Sequence, residues 1–336
     1  MAKSKKKRKE RKYRLFYLLL LLFVTAVSLS VSSYAWFTTN RLARVDLLDV
    51  NVRAQGGIEV SSDAVNWKAK ININDLINAR NNYSASLNQI PKTLEPVSSA
   101  GNVNNGLLEL FYGVTEGNSN GNYVISASRS IEEEGFDENS DGIFIAFDLF
   151  FKTNENTRFY LTPESNITYG GNESVGIENA MRVAFVNEGN VNSGSSAYTM
   201  QSLTTNDNNN VYIWEPNSDT HSSTGISNAY DVYGISVSSQ GASPIAYSGV
   251  INEISESQKI AFKDATSAKY PGYFASVDVD YSTAYGFSSN TKVWDFKAGI
   301  TKMRVYVWLE GQDVDCENGA SSGNLEIKFQ LTTNPS

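Results

Sequence analysis

The segment Ile143-Phe-Ile-Ala-Phe-Asp-Leu-Phe-Phe151 is apolar at eight of its nine positions. So short and so uniform a run predicts a strand in the middle of a sheet, and it fixes the class of fold the rest of the chain must satisfy. Further strand candidates recur on both sides of it: Val45–Val52, Gly57–Ser61, Asn122–Ser126, Phe159–Leu161, Met181–Val186, Val211–Trp214, Met303–Leu309 and Asn324–Leu331. Asn, Ser, Thr and Gly fill the gaps, and the 336 residues include only seven Pro. Many strands with polar turns and no long helices between them predict an all-β fold, an antiparallel two-sheet sandwich of jelly-roll type with long polar loops.

Two helices are expected, Asp75–Arg80 with Asn74 as cap and Ser255–Phe262. The polar stretches Asn187–Asn210 and Pro216–Gly241 read as long loops. Met181-Arg-Val and Met303-Arg-Val echo each other too far apart for a solenoid repeat, and each is expected to place its arginine on a solvent face.

The N-terminus is different in kind. Nine of the 28 Lys and Arg lie in residues 1–14 with one acid, and Leu15–Val31 carries no charge. A basic start, an apolar core and small residues are the pattern of an export signal. Ser33 and Ala35 sit at the third and first positions before a cut between Ala35 and Trp36, the spacing a signal peptidase reads. The chain thus divides into a signal peptide or membrane anchor, 1–35, and a single β-sandwich domain with loop insertions, 36–336. Contact with the membrane is expected only through residues 15–37. The portion after residue 35 holds 19 basic and 35 acidic residues, a formal charge of about −16. That acidity argues against nucleic acid as a partner. Cys316 is the single cysteine, which excludes an intramolecular disulfide and leaves a buried thiol or an intermolecular bridge.

Chemistry is sparse. His221 is the single histidine, there is no His-Glu-x-x-His pair, and no Gly-x-Ser-x-Gly elbow accompanies a hydrolytic triad. Glu215, Asp219 and His221 stand close enough in sequence to suit a transition metal, although Pro216–Asp219 is also ordinary turn chemistry. Asp137, Asn139 and Asp141 match the first half of a calcium loop, with Gly142 for its sharp turn and Asp148 at the twelfth position. Against calcium, the last ligand of such loops is a Glu and the residues after Gly142 read as a strand. Gln312–Glu317 is a third acidic cluster and reads as a solvated hairpin loop. None of these supports a reaction, so the chain is expected not to be an enzyme and to need no cofactor unless calcium.

The basic start, the apolar core and Ser33-Tyr-Ala-Trp-Phe37 resemble the export segment of the TasA and camelysin group of Gram-positive surface proteins. Gly57–Ser61, Trp67, Phe147–Lys152, Ile213–Asn217 and Trp308–Asp313 are similar to segments of exported Firmicutes proteins. The resemblance implies a jelly-roll sandwich, cleavage by a dedicated signal peptidase, and assembly outside the cell into fibres or a biofilm matrix. Some relatives carry a metallopeptidase label, whose zinc motif this sequence lacks.

Two readings follow. In the first, the chain is an exported structural subunit of the surface or matrix that associates with itself or with other matrix proteins. Its donor strand would lie in Trp36–Val52, on the alternation of Val45 with Leu47 and of Val50 with Val52, with a bulge between the two pairs. In the second, an uncleaved Leu15–Phe37 helix tethers a monomeric module that binds a glycan or a calcium-dependent partner.

Overall fold

The computed structural model describes residues 43–53, 58–117, 123–130, 141–170, 176–227, 244–317 and 324–334. The export segment, including Ala35 and Trp36, and the loop residues Asp137 and Asn139 lie outside them. Residues 35–336 form one compact unit, and all that follows concerns that unit. Among the described residues no helix is long and apolar enough to cross a membrane.

The fold is all-β, with strands numbered β1 to β20 in chain order. The first sheet runs β18 (Thr291–Phe296), β10 (Thr157–Leu161), β20 (Asn324–Thr332), β1 (Ala43–Arg53), β3 (Thr93–Leu94) and β8 (Asp141–Gly142), and β11 (Asn166–Tyr169) also pairs with β20. The second runs β17 (Asp280–Tyr281), β13 (Val211–Glu215), β12 (Met181–Val191), β19 (Gly299–Leu309), β9 (Phe144–Thr153) and β2 (Glu59–Ser61). A smaller sheet of β15 (Ile260–Ala261), β7 (Tyr123–Ser130) and β6 (Leu110–Gly117) stands apart from both. Two short pairs complete the set: β4 (Val103–Asn104) with β5 (Leu107–Leu108), and β14 (Ser248–Val250) with β16 (Phe274–Ser276).

Pairing is mixed, not purely antiparallel as expected. β1 runs parallel to β20, β3 to β8 and β13 to β17. In each case the partners are distant in sequence, so no tight hairpin forces an antiparallel return. Strand β1 covers the predicted Val45–Val52, but its irregularity falls at Asp46, between Val45 and Leu47, instead of between Leu47 and Val50. Beyond the bulge Leu48, Val50 and Val52 stand opposite Ile327, Phe329 and Leu331, and those three residues of β20 are buried. The apolar phase of β20 therefore takes Leu48, itself buried, opposite the buried Ile327.

Strand β9 explains why Ile143–Phe151 is apolar at all but one position. It is next to the edge strand β2, so it is not central in its sheet, but both of its faces are covered. On one face Phe151 packs against Phe159 and Phe296 of the first sheet, with ring centroids 4.5 and 5.3 Å apart. On the other, Phe144 and Ala146 join Tyr306 and Trp308 in a second core closed over by Val97, Leu108, Leu110 and Tyr247. A domain with two apolar layers back to back on one sheet leaves only Lys152, near the end of β9, partly open to water.

Helices are few and short. Ile73–Ile77 forms a single helical turn capped by Asn72, which accepts from the Asn74 and Asp75 amides, and a 3₁₀ turn continues it over Asn78–Asn81. The cap is two residues earlier than expected because Asp75 closes a reciprocal capping box with Asn72. The expected helix at Ser255–Phe262 does not form: Glu256–Gln258 is one 3₁₀ turn, and Ile260–Ala261 then pairs with β7. Long-range pairing outweighs local propensity there. Within Asn187–Asn210, β12 runs on to Val191 and Ala197–Gln201 is helical, capped by Ser196.

Candidate functional site: two buried ion clusters

The two echoing arginines are not on solvent faces. Arg182 and Arg304 are 0% and 5% exposed. Strands β12 and β19 are antiparallel, so the same Met-Arg-Val text places Arg182 opposite Trp308 and Arg304 opposite Val186, at opposite ends of the second core. A buried guanidinium has to be neutralised, and each end is built around that need.

At the first end Asp148 of β9 stands directly across from Arg304. Arg304 grips it with two hydrogen bonds, Nε to Oδ1 at 2.7 Å and Nη2 to Oδ2 at 3.1 Å. The Tyr83 hydroxyl donates to Oδ2 at 2.9 Å, and Lys302 Nζ lies 3.6 Å from it. Arg304 also donates to the Gly106 carbonyl at 3.0 Å, and Lys302 to the carbonyls of Gln201 and Leu203 at 2.9 Å each. Gly106, at φ +74°, follows Asn105 in the turn between β4 and β5, and a Cβ there would come within 2.4 Å of Glu188 Oε2. That glycine lets the turn sit on the cluster. Burial works against ionised Asp148, but Arg304 and Lys302 overcome it and hold its pKa well below the usual carboxylate range. Glu188 goes the other way: burial, with Asp148 nearby, raises it to about 7 despite the two cations.

At the second end Arg182 Nη2 donates to Asp313 Oδ2 at 2.5 Å. Glu215 Oε2 lies 2.9 Å from the same nitrogen, but out of line for a hydrogen bond, so their attraction is purely coulombic. The Tyr247 ring covers the guanidinium at 4.9 Å. Glu310 accepts from Trp308 Nε1 at 3.0 Å and from the Gln312 amide at 3.0 Å. Burial raises both Glu215 and Glu310 to about 7. The group continues through Asp313, which accepts from the Asp315 amide, to Asp315 Oδ2, 2.7 Å from His221 Nδ1. Burial also raises Asp315, against the pull of His221.

These contacts redraw the sequence-derived clusters. Glu215, Asp219 and His221 do not converge: Glu215 faces Arg182, Asp219 accepts from the Ala284 amide, and His221 holds Asp315. Gln312–Glu317 is not a solvated loop, since all six residues are buried, Cys316 among them. Asp148 is unsuited to ligate calcium, because it is 0% exposed and the alternation of β9 aims it at Arg304 and Tyr83. Of the other calcium candidates only Asp141 is described, and its backbone pairs with Thr93. Among the described residues no three His, Cys, Asp or Glu side chains stand together as metal ligands.

Sequence reasoning missed Arg182, Lys302, Arg304 and Tyr83 as interior residues. The available signal was Asp148, a lone charge inside an otherwise apolar strand that had to find cationic partners. The chain matches no protein-family model, no curated protein and no solved structure.

Proposed function

We propose that the chain is an exported, non-enzymatic structural subunit of a cell surface or extracellular matrix, folded as a jelly-roll-like sandwich and associating through its N-terminal strand. The observation that carries this reading is the placement of β1. It pairs with β20 from Arg44 to Arg53, while on its other side only Ala43 and Arg44 pair with β3. Among the described residues, the outer edge of Leu47–Arg53 has no strand partner. An edge of that length suits β-augmentation by a second copy, in which ladder hydrogen bonds give affinity and alternate side chains give register.

The interior supports the same reading from the chemical side. The single histidine, His221, is spent on Asp315 in a buried pair, and the strongly shifted carboxylates Asp148, Glu188, Glu215 and Glu310 sit in ion clusters that join strands. Groups locked into strand-to-strand contacts serve architecture better than turnover. The basic leader and the Ser33-Tyr-Ala-Trp-Phe37 segment support export, with a signal peptidase as the processing partner.

The test is assembly. Electron microscopy and sedimentation of the purified chain should show polymers, and deletion of Trp36–Asp46 or an excess of a peptide with the Ala43–Arg53 sequence should suppress them. Polymers unchanged by both would overturn the donor-edge reading. N-terminal sequencing of protein taken from the cell surface and the medium separates the two export fates: a start at Trp36 for a released subunit, an intact N-terminus for a tethered module.

A further inference from the structure

Beside the capping box lies a cleft of about 200 Å³, lined by the loop around Asp63 and Asn66, by Lys68 and Asp75, and by Asn78, Asn81 and Asn82. It is remote in character from the buried clusters, because nearly every side chain that lines it is polar. Its walls have a definite polarity. Asn66 and Asn82 donate their Nδ2 groups to Asp63 Oδ2 at 2.7 and 2.9 Å, and Asn78 donates its own to the Asn74 carbonyl at 2.8 Å. With the nitrogens committed, the carbonyl Oδ1 atoms of these three amides accept no hydrogen bond from any described residue. Donating those protons fixes the amide planes, so three acceptors are presented in fixed directions. Asn81 forms no side-chain hydrogen bond with any described residue and adds a fourth amide.

Asp63 sets this wall. Its Oδ1 accepts from Ser61 Oγ and from the Val65 and Asn66 amides, and its Oδ2 from the two asparagines. Burial opposes its charge, yet these bonds keep the carboxyl at about 2 and therefore ionised. The other carboxylate, Asp75, is paired with Lys68 and bonded to the Asn72 amide.

We propose that this cleft binds one unit of an uncharged saccharide through its vicinal hydroxyls. Each hydroxyl both donates and accepts, which matches amide oxygens set beside a lysine ammonium. The volume is below that of a site for a drug-sized ligand and suits a single sugar ring. A hard cation fits worse. Calcium takes six to eight oxygens, but here one carboxylate is saturated by five hydrogen bonds and the other is neutralised by Lys68, whose charge repels a cation. The site is independent of polymerisation: a monomer would bind as well as a fibre, and in a matrix it would join protein to polysaccharide.

Calorimetry of the full-length chain in a mild detergent, titrated separately with maltotetraose, cellotetraose and chitotetraose, tests the proposal. At least one should bind, Asn81→Arg should weaken it by at least about tenfold by filling the cleft, and Asn78→Ala by a smaller factor. Both positions are exposed, so the fold should survive, with the melting temperature unchanged in Asn81→Arg and lowered only slightly in Asn78→Ala, which loses the bond to the Asn74 carbonyl. The proposal is overturned if none of the three binds, if binding survives Asn81→Arg in a folded protein, or if calcium chloride alone binds with Asn81 and Asn78 required. Loss of fibres without loss of saccharide binding would count against the assembly reading only.

Discussion

The two ends of the second core start from the same three residues, Met-Arg-Val, and solve the buried arginine differently. At the Arg304 end two cations face two acids, and the arginine holds its partner Asp148 through two parallel hydrogen bonds. At the Arg182 end one guanidinium serves Asp313 and Glu215 with Glu310 nearby, and two of those three acids have proton affinities raised to about 7. The first cluster is a lock around Asp148, which Arg304 and Lys302 keep ionised, and Glu188 is its one carboxyl of raised proton affinity. The second holds fewer charges than groups, and protons make up the difference. The contrast shows that a repeated local text does not fix an electrostatic solution; the strands across from it do.

The largest expected effect comes from breaking the lock. Arg304→Met leaves Asp148 buried without its main partner and should cost about 3–5 kcal/mol in urea denaturation. Adding Asp148→Leu to that variant should recover most of the loss, because no buried charge then remains at that position. Next is Arg182→Met, expected to cost about 3 kcal/mol at pH 8 but only about half as much at pH 5.5, where Glu215 and Glu310 take up protons in place of the cation. An equal cost at both pH values would erase the distinction between the clusters.

A third test uses the sign of the shifts. Glu188, Glu215 and Glu310 bind protons more tightly when folded than the ordinary glutamate value of 4.5. Between about pH 4.5 and 7 the native state therefore carries more protons than the unfolded chain, and stability falls as pH rises through that window. Each such carboxyl contributes on the order of 2 kcal/mol of difference between pH 5.5 and 8. Glu188→Gln should remove about one share of that slope, read from melting temperatures across the range. The smallest effect is the control: Lys292 and Asp295 form an exposed pair at 2.7 Å, and Lys292→Ala should change stability by no more than about 0.5 kcal/mol at any pH.

Much of the architecture was legible because long apolar strands advertise themselves. Val45–Val52, Met303–Leu309 and Asn324–Leu331 all lie within observed strands, since seven or eight residues of pattern leave little choice of structure. Of the two-residue and three-residue strands only β2, inside Gly57–Ser61, was legible: β3 and β17 exist only because a distant partner offers a ladder, which no local window contains. The clusters were half legible. Asp148, Glu215, His221 and Asp315 stood out as chemistry-bearing residues, but reading each group by its sequence neighbours joined Glu215 to His221, when β12 and the residues after β19 supply their partners Arg182 and Asp315. Arg182 and Arg304 were misread because alternation alone assigns a charged residue to water, and the second core leaves that face dry. The Asn-rich cleft was not legible: Asn78 fell within an expected helix, and only folding brings its amide beside those of Asn66, Asn81 and Asn82.

The parallel seating of β1 against β20 also orders events in time. Arg44 lies opposite Asn324, 280 positions along the chain. The ladder of β1 thus cannot close until the 280 residues that separate it from its partner have emerged. For that interval Ala43–Arg53 is an unsatisfied backbone in search of an edge, and the edge it meets first is set by how crowded its surroundings are. A dilute chain closes on itself, whereas a crowded one has neighbours whose own last strand is already waiting.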